Sequence, residues 1–195
     1  MTDPRITDAL RGLASTPAPP TFPTPDVAYA VHDTAIGRLL LARRSDGRFV
    51  ACRFAPSVAD EDATLTAIAG RVSPRVLRAP QEVDEARRRV DAYLAGTRHD
   101  LDLPVDLTLA SDFARDVLDA VASRVGFGER AAYAQVAGWI GRPTAARAVG
   151  AALGSNPVCL LVPCHRIVAA SGALTGYAGG LAAKEYLLAL ESRAS

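Results

Sequence analysis

Apolar positions along this chain follow two spacings, and the change between them predicts its architecture. From Val27 to Phe54 they come in short dense runs broken by turn residues. That predicts three strands, Val27 to His32, Gly37 to Ala42 and Arg48 to Phe54, the third entered through Ser45-Asp46-Gly47. Beyond Phe54 they recur three and four residues apart, the helical period. Leu65, Ile68 and Ala69 predict a helix over Ala63 to Val72, and Ala86, Val90, Tyr93 and Leu94 another over Val83 to Leu94. These five elements make a small α+β unit ending near Leu109.

From Ser111 the character is helical. Ser111 or Asp112 can cap a helix through Phe113, Val117, Leu118 and Val121 that stops near Gly126 and Gly128. Tyr133 to Ile140 reads as a short helix, Gly141-Arg142-Pro143-Thr144 as a turn and Ala145 to Leu153 as a second helix, a helix-turn-helix pattern that two packed helices without DNA would also give. The apolar run Val158 to Val162 predicts a buried strand that Pro163 ends. Ala182 to Glu191 closes the pattern as a helix with Tyr186, Leu187 and Leu190 facing inward. Ahead of the first strand, Ile6, Leu10 and Leu13 could line a short helical face, while Thr16 to Pro25 is too proline-rich for helix or central strand. The expected division is a tail over 1–25, an N-terminal α+β domain over 26–109 and a C-terminal domain over 110–195.

Composition narrows the function classes. A chain of 195 residues, 49% hydrophobic, can bury one substantial core or two small ones. Its formal net charge of +1 drives it onto neither nucleic acid nor membrane, so any DNA contact must come from a local patch. Arginine supplies nearly all the positive charge, Lys184 being the single lysine, and Arg87-Arg88-Arg89 reads as a solvated helix face. Cys52, Cys159 and Cys164 are odd in number and lack zinc-ligand spacing, which argues against a disulfide framework or zinc ribbon and fits a reducing cytoplasm. No export signal or long uncharged apolar span is visible. His32 and His99 stand alone and read as surface or satisfied residues.

Two stretches carry chemistry. The helix Ala145 to Leu153 has one long polar side chain, Arg147, and no Asn or Gln, so it lacks the groups that read base edges. A smooth surface of Ala145, Ala148, Gly150 and Ala151 suits close approach to a groove wall, with phosphates held by helix N-termini, Arg130 and Arg142. Arg147 could then fill the gap left by an extruded nucleotide. The second stretch is Pro163-Cys164-His165-Arg166. A cysteine is a useful nucleophile only as thiolate, and His165 is the obvious base. Adjacent side chains on an extended segment diverge, so a water should link the two unless the chain turns sharply after Pro163. By adjacency alone the pair also fits a small core hydrophobe beside a satisfied core histidine. Glu191 at the end of a helix opposes the helix dipole. Placed to hold the His165 tautomer, it would complete a Cys-water-His-Glu relay. Gly176-Tyr177-Ala178-Gly179-Gly180 reads as a loop whose backbone can approach a ligand, with Tyr177 as an aromatic wall.

Arg147-Ala148-Val149-Gly150, Asn156-Pro157, Pro163-Cys164-His165-Arg166, Gly176 to Leu181 and Leu187 to Glu191 occur in the order and spacing of the O6-alkylguanine-DNA alkyltransferases. From Ser111 to Glu191 the chain closely resembles that family; over Val27 to Leu109 the likeness rests on length and the strand-rich pattern. The resemblance implies an α/β two-domain protein, with a ribonuclease H-like α+β N-terminal domain and a mainly helical, winged-helix-like C-terminal domain carrying the helix-turn-helix. It implies single-turnover, irreversible transfer of an alkyl group from O6-alkylguanine in duplex DNA to Cys164 after base flipping, with O4-methylthymine a further candidate substrate. No cofactor or metal is implied, and the protein would be a cytoplasmic monomer. By position, Cys164 would be the acceptor, His165 the water-linked base, Glu191 its orienter and Asn156 a brace for the turn before the active-site segment. Tyr133 would donate to the departing guanine and Arg147 would be the intercalating finger. Tyr177, the backbone of Ala178 and the carbonyls of Cys164 and Ile167 would line the base pocket, with Lys184 nearby. Three positions depart from the family pattern: Ala132 replaces a hydroxyl residue before Tyr133, Gly126 a proline, and Cys159 an apolar residue or proline. The rivals are a non-enzymatic damage sensor, which the intact Cys164 argues against, a helix-turn-helix regulator, and a Cys-His hydrolase that would turn over repeatedly without DNA.

Overall fold

The computed structural model describes residues 25–193. The helical face of Ile6, Leu10 and Leu13 and nearly all of the proline linker lie outside them. Three strands form where the dense apolar runs predict them: β1 (Val27–Thr34), β2 (Gly37–Arg44) and β3 (Phe49–Phe54). β1 and β2 pair antiparallel from Val27↔Arg44 to Thr34↔Gly37, so only Ala35 and Ile36 turn the chain, and Gly37 takes the left-handed φ of 119° that the tight connection requires. A fourth strand, β4 (Val76–Arg78), runs parallel to β1 and gives the order β3-β2-β1-β4. Three residues show no measurable period, so β4 is silent in the sequence.

Helix α1 spans Val58–Arg71, starting ahead of the expected Ala63 because Ser57 and Asp60 close a reciprocal capping box. Its first turn is largely exposed, which is why apolar spacing misses it. Helix α2 (Asp84–Leu94) buries Ala86, Val90, Tyr93 and Leu94, the predicted face. The expected cap holds for α3 (Asp112–Arg124), where the Ser111 side chain accepts from the Ala114 amide. The helix-turn-helix is α4 (Tyr133–Trp139) and α5 (Ala146–Gly154), joined through Gly141 at φ 70°. A two-residue parallel ladder, β5 (Ala131–Ala132) with β6 (Ile167–Val168), places the start of α4 beside the segment that follows Cys164.

Two expectations fail. Val158 to Val162 is not a strand but an arch: Val158 bridges Cys52, Cys159 bridges Val162, and Leu160 turns the chain back at φ 69°. An apolar run reports burial but not direction, and here both legs of a reversal are buried. In the last helix, α6 (Gly180–Arg193), the inner face is Ala183, Lys184, Leu187, Leu188 and Glu191. Tyr186 is 40% exposed and lies over the edge, its hydroxyl donating to the Leu94 carbonyl at 2.8 Å. Counting only apolar residues hid a stripe that contains two charged ones.

The strand-rich and helical parts share a core. Leu160, Ala183 and Leu187 pack with Leu39, Leu41, Val90 and Tyr93, each buried leucine contributing about 1.5–3 kcal/mol. The arch is stitched to β3 by two backbone hydrogen bonds of 2.8 Å, Cys52 N–H to Pro157 and Cys159 N–H to Cys52. The active-site segment is thereby held from the N-terminal side.

Candidate active site

After Pro163 the chain does turn sharply: Cys164–Arg166 form a 3-10 turn, buried throughout. Consecutive side chains therefore fan out instead of opposing each other. His165 points at α6, where Nε2 meets Glu191 Oε1 at 2.6 Å. Glu191 is 1% exposed and, among the described residues, collects donors from four places. Besides His165 these are the Tyr93 hydroxyl on α2, the Gly128 amide at 3.0 Å and Arg166 Nε at 2.9 Å. Burial alone would raise this carboxyl, but the bonds from His165, Arg166 and Tyr93 outweigh it and hold the pKa at about 2. An ionised Glu191 requires the proton of His165 on Nε2, leaving Nδ1 as an acceptor. Nδ1 is buried and has no hydrogen-bond partner among the described residues. Burial lowers the His165 pKa, so the ring is neutral at pH 7.

Cys164 is 3% exposed. Its thiol pKa is nonetheless lowered: a hydrogen bond from Cys159 outweighs desolvation, and Asn156 and the charge on Lys184 add to it. Cys52 and Cys159 move the other way, the former mainly through burial. Asn156 braces the arch, donating through Nδ2 to the Val162 carbonyl at 3.1 Å and accepting the Val158 amide at 3.0 Å. Lys184 is buried with Nζ on the carbonyls of Ile167 at 2.6 Å and Thr175 at 3.4 Å, and burial lowers its pKa.

Of the residues assigned to the base pocket from sequence, Ile167 and Tyr177 pack in one cluster with Cys164, and Lys184 acts on the thiol by charge. The Tyr177 hydroxyl is buried with no hydrogen-bond partner among the described residues, and the ring sits edge-on to His165 at 6.5 Å and to Phe54 at 5.5 Å. Phe54 reaches in from β3 so closely that a Cβ on Gly179 would come within 2.4 Å of its ring, which explains a glycine at that position. The carbonyls of Cys164 and Ile167 each already accept one bond, from the Ile167 amide and from Lys184, leaving one lone pair apiece. Ala178 is exposed on the loop.

Tyr133 links the Thr175 loop to the helix-turn-helix. Its hydroxyl accepts from Thr175 Oγ1 at 2.9 Å, and Lys184 lies 5.9 Å over its ring. The ring also lies 3.7 Å from where a Gly150 Cβ would stand. Gly150 is thus a spacer that admits Tyr133 as well as part of the smooth face. Arg147, Ala148 and Ala151 are exposed on α5, and Ala145 is half-buried at its start. Arg142 is exposed in the turn with its guanidinium 5.5 Å over Phe113, while Arg130 donates to Ser192 near the end of α6.

Residues 112–193 match the family model described as 6-O-methylguanine DNA methyltransferase, DNA binding domain. The methylated-DNA--protein-cysteine methyltransferase of Mycolicibacterium paratuberculosis is 39% identical over 173 residues, covering 87% of this chain and 94% of that protein. The chain belongs to the methylated-DNA--protein-cysteine methyltransferase family. The crystal structure of Mycobacterium tuberculosis O6-methylguanine methyltransferase superposes with a TM-score of 0.73 at 35% identity, covering 87% of this chain and 94% of that one. Mycobacterium tuberculosis OGT in complex with DNA gives 0.72 at 34%, over 86% and 94% of the two chains.

In this member of the methyltransferase family, three groups around Glu191 escape sequence reading: Tyr93, Gly128 and Arg166. Arg166 stood inside the quoted Pro-Cys-His-Arg motif, and its charge could have been matched to Glu191. Tyr93 and Gly128 had no such signal, being 98 and 63 positions away from the carboxylate they serve.

Proposed function

We propose that this protein repairs alkylated DNA by taking the alkyl group of O6-alkylguanine irreversibly onto Cys164. The observation that carries the reading is the buried Cys164–Arg166 turn: a thiol whose pKa is lowered, followed by an imidazole that Glu191 holds through Nε2, with Nδ1 buried and unbonded among the described residues. The thiol proton passes to His165 Nδ1 through a water, and the imidazolium so formed is stabilised by the ionised Glu191. The Cys164 sulfur attacks the alkyl carbon, the carbon–O6 bond breaks, and its electron pair goes to guanine. Tyr133 supplies a hydrogen bond or proton to the departing base. The product is a thioether, and a neutral histidine held by Glu191 offers no chemistry to break a carbon–sulfur bond, so each molecule acts once. Cys164 is covered in this conformation, so a flipped base enters as the Thr175 to Gly180 loop withdraws; O4-methylthymine would have to fit the same opening.

Further parts of the reading rest on the same framework. The order β3-β2-β1-β4 with β4 parallel to β1 supports a ribonuclease H-like fold for 26–109. The α4–α5 pair with its small β5–β6 ladder supports a winged-helix-like fold for 110–195. Duplex DNA would lie on the exposed Arg147, Ala148 and Ala151, with Ala145 and Gly150 beside them and Arg130 and Arg142 on phosphates. We read the protein as a cytoplasmic monomer.

Mass spectrometry after mixing with a duplex carrying one O6-methylguanine tests the reading: one methyl adduct per protein, on the Cys164 peptide, with no further demethylation by spent protein. Release of more methyl-free DNA than protein present would point to a hydrolase instead. Arg147→Ala separates flipping from chemistry. Losing the group that fills the stack leaves a few kcal/mol of unstacking uncompensated, so transfer from duplex should slow by about tenfold or more while transfer from the free base stays unchanged. Equal rates on duplex for both proteins would remove Arg147 from the flipping step.

A further inference from the structure

We propose that Tyr93 is a positioning residue for the alkyl transfer: from the N-terminal α+β part it holds the one Glu191 oxygen that carries His165. The proposal rests on the reading of Cys164 as acceptor and His165 as its base, and adds what keeps that base aimed.

The two oxygens of Glu191 are held differently. Oε2 takes the Gly128 amide at 3.0 Å and Arg166 Nε at 2.9 Å. Oε1 takes His165 Nε2 at 2.6 Å and the Tyr93 hydroxyl, with Arg166 Nε at a longer 3.2 Å. His165 is the group to be positioned, so among the described residues Tyr93 is the close anchor of Oε1 that takes no part in proton transfer. Without it the carboxylate can turn about its Cγ–Cδ bond, pivoting on Oε2, and the imidazole follows Oε1. Nδ1 then leaves the line on which a water joins it to the Cys164 thiol. Proton transfer through one water depends on that line, and a misplacement of about 1 Å can cost about a hundredfold in rate.

Tyr93 is itself built to stay in place. It lies in the last turn of α2, 2% exposed, and packs with Val90, Leu94, Leu160 and Leu187. Its ring meets Phe127 edge-on at 6.1 Å, and Phe127 precedes the Gly128 that holds the other oxygen. The same packing therefore sets both anchors. Burial and the charge of Glu191 push the Tyr93 phenol pKa up, so the hydroxyl remains a donor throughout the range in which the thiol reacts. Cys164, His165 and Glu191 all lie within residues 112–193, the stretch that matches the family's DNA-binding domain, and Tyr93 does not. The N-terminal part thus contributes a side chain to the relay as well as the β3 backbone bonds that hold the arch.

A second tyrosine provides the comparison. Tyr186 on α6 donates to the Leu94 carbonyl at 2.8 Å, so it ties the same two helices, but the tie ends on backbone and not on Glu191.

The test follows single-turnover methyl transfer to the full chain from an O6-methylguanine duplex, with duplex varied so that the saturating rate and the half-saturating concentration are read separately. Tyr93→Phe should lower the saturating rate about tenfold, leave the half-saturating concentration unchanged, and slow transfer from the free base by the same factor. Tyr186→Phe loses a bond between the same helices and should lower the melting temperature as Tyr93→Phe does, while reacting at the parent's rate. Should Tyr93→Phe fail to fold, Tyr93→Met fills much of the space with an adaptable side chain that has no donor and carries the same expectation. A Tyr93→Phe protein that melts earlier but keeps the parent's saturating rate overturns the proposal, and so does an equal slowing in Tyr186→Phe, which would make the effect one of helix packing. A parent that takes up no methyl group removes the functional reading and this inference together; a reactive parent matched by Tyr93→Phe removes this inference alone.

Discussion

Cys164→Ser is expected to fold, to bind duplex DNA as tightly as the parent, and to take up no detectable methyl group from O6-methylguanine. Oxygen replaces sulfur with little change of shape in a site already lined by Asn156 and Cys159, so packing loses little. Reactivity loses everything that matters. The lowered pKa of Cys164 makes its thiolate more accessible than that of an ordinary cysteine, whereas a serine hydroxyl needs a far stronger base than a water-linked neutral histidine. The variant should therefore be a competent binder without chemistry. Mass spectrometry of the mixture, with fluorescence anisotropy on the same duplex, checks both halves. An adduct on Cys52 or Cys159 in the variant would show that the acceptor had been misassigned.

The second large effect lies at Glu191. Glu191→Ala leaves the buried Arg166 guanidinium without its carboxylate and strands the Gly128 amide and the Tyr93 hydroxyl, a loss of about 3–5 kcal/mol in urea unfolding. The same carboxylate sets the acid limit of stability. Its pKa is about 2 in the fold against 4.5 for the free group, so its stabilisation is complete above 4.5 and disappears as pH falls towards 2. After allowance for solvent screening the linkage is worth about 2 kcal/mol. His165 acts in the same direction at higher pH. Its pKa is lowered in the fold from 6.5, so the unfolded chain takes the proton first and stability begins to fall below about pH 6.5. Glu191→Gln keeps the shape without the charge. The parent's advantage over it should be largest near neutrality and shrink steadily between pH 4.5 and 2. A constant difference across that range would mean that the carboxylate contributes by packing alone.

How legible each part was depends on how local its cause is. The three strands and the N-cap of α3 follow from apolar runs and a single hydroxyl, and they stand where the residues put them. Cys164, His165 and Glu191 could be named because a thiol beside an imidazole after proline, and a carboxylate at the wrong end of a helix, are chemically conspicuous. Tyr186 departs from expectation for the complementary reason: once Lys184 and Glu191 are excluded as polar, Tyr186 fills out the stripe with Leu187 and Leu190, although only the two leucines face the core.

By itself, then, the order of residues determined which groups could react and most of the elements that carry them, since both are properties of short stretches. The tertiary structure alone decided that Val158 to Val162 folds back on itself, that Cys159 is anchored to Cys52 on β3, that Phe54 closes on the Gly179 loop, and that Tyr93 and Gly128 satisfy Glu191. Each of these depends on two segments far apart in the chain arriving at one buried point. There every donor needs an acceptor because water is excluded, and no local spacing records which distant residue will supply it.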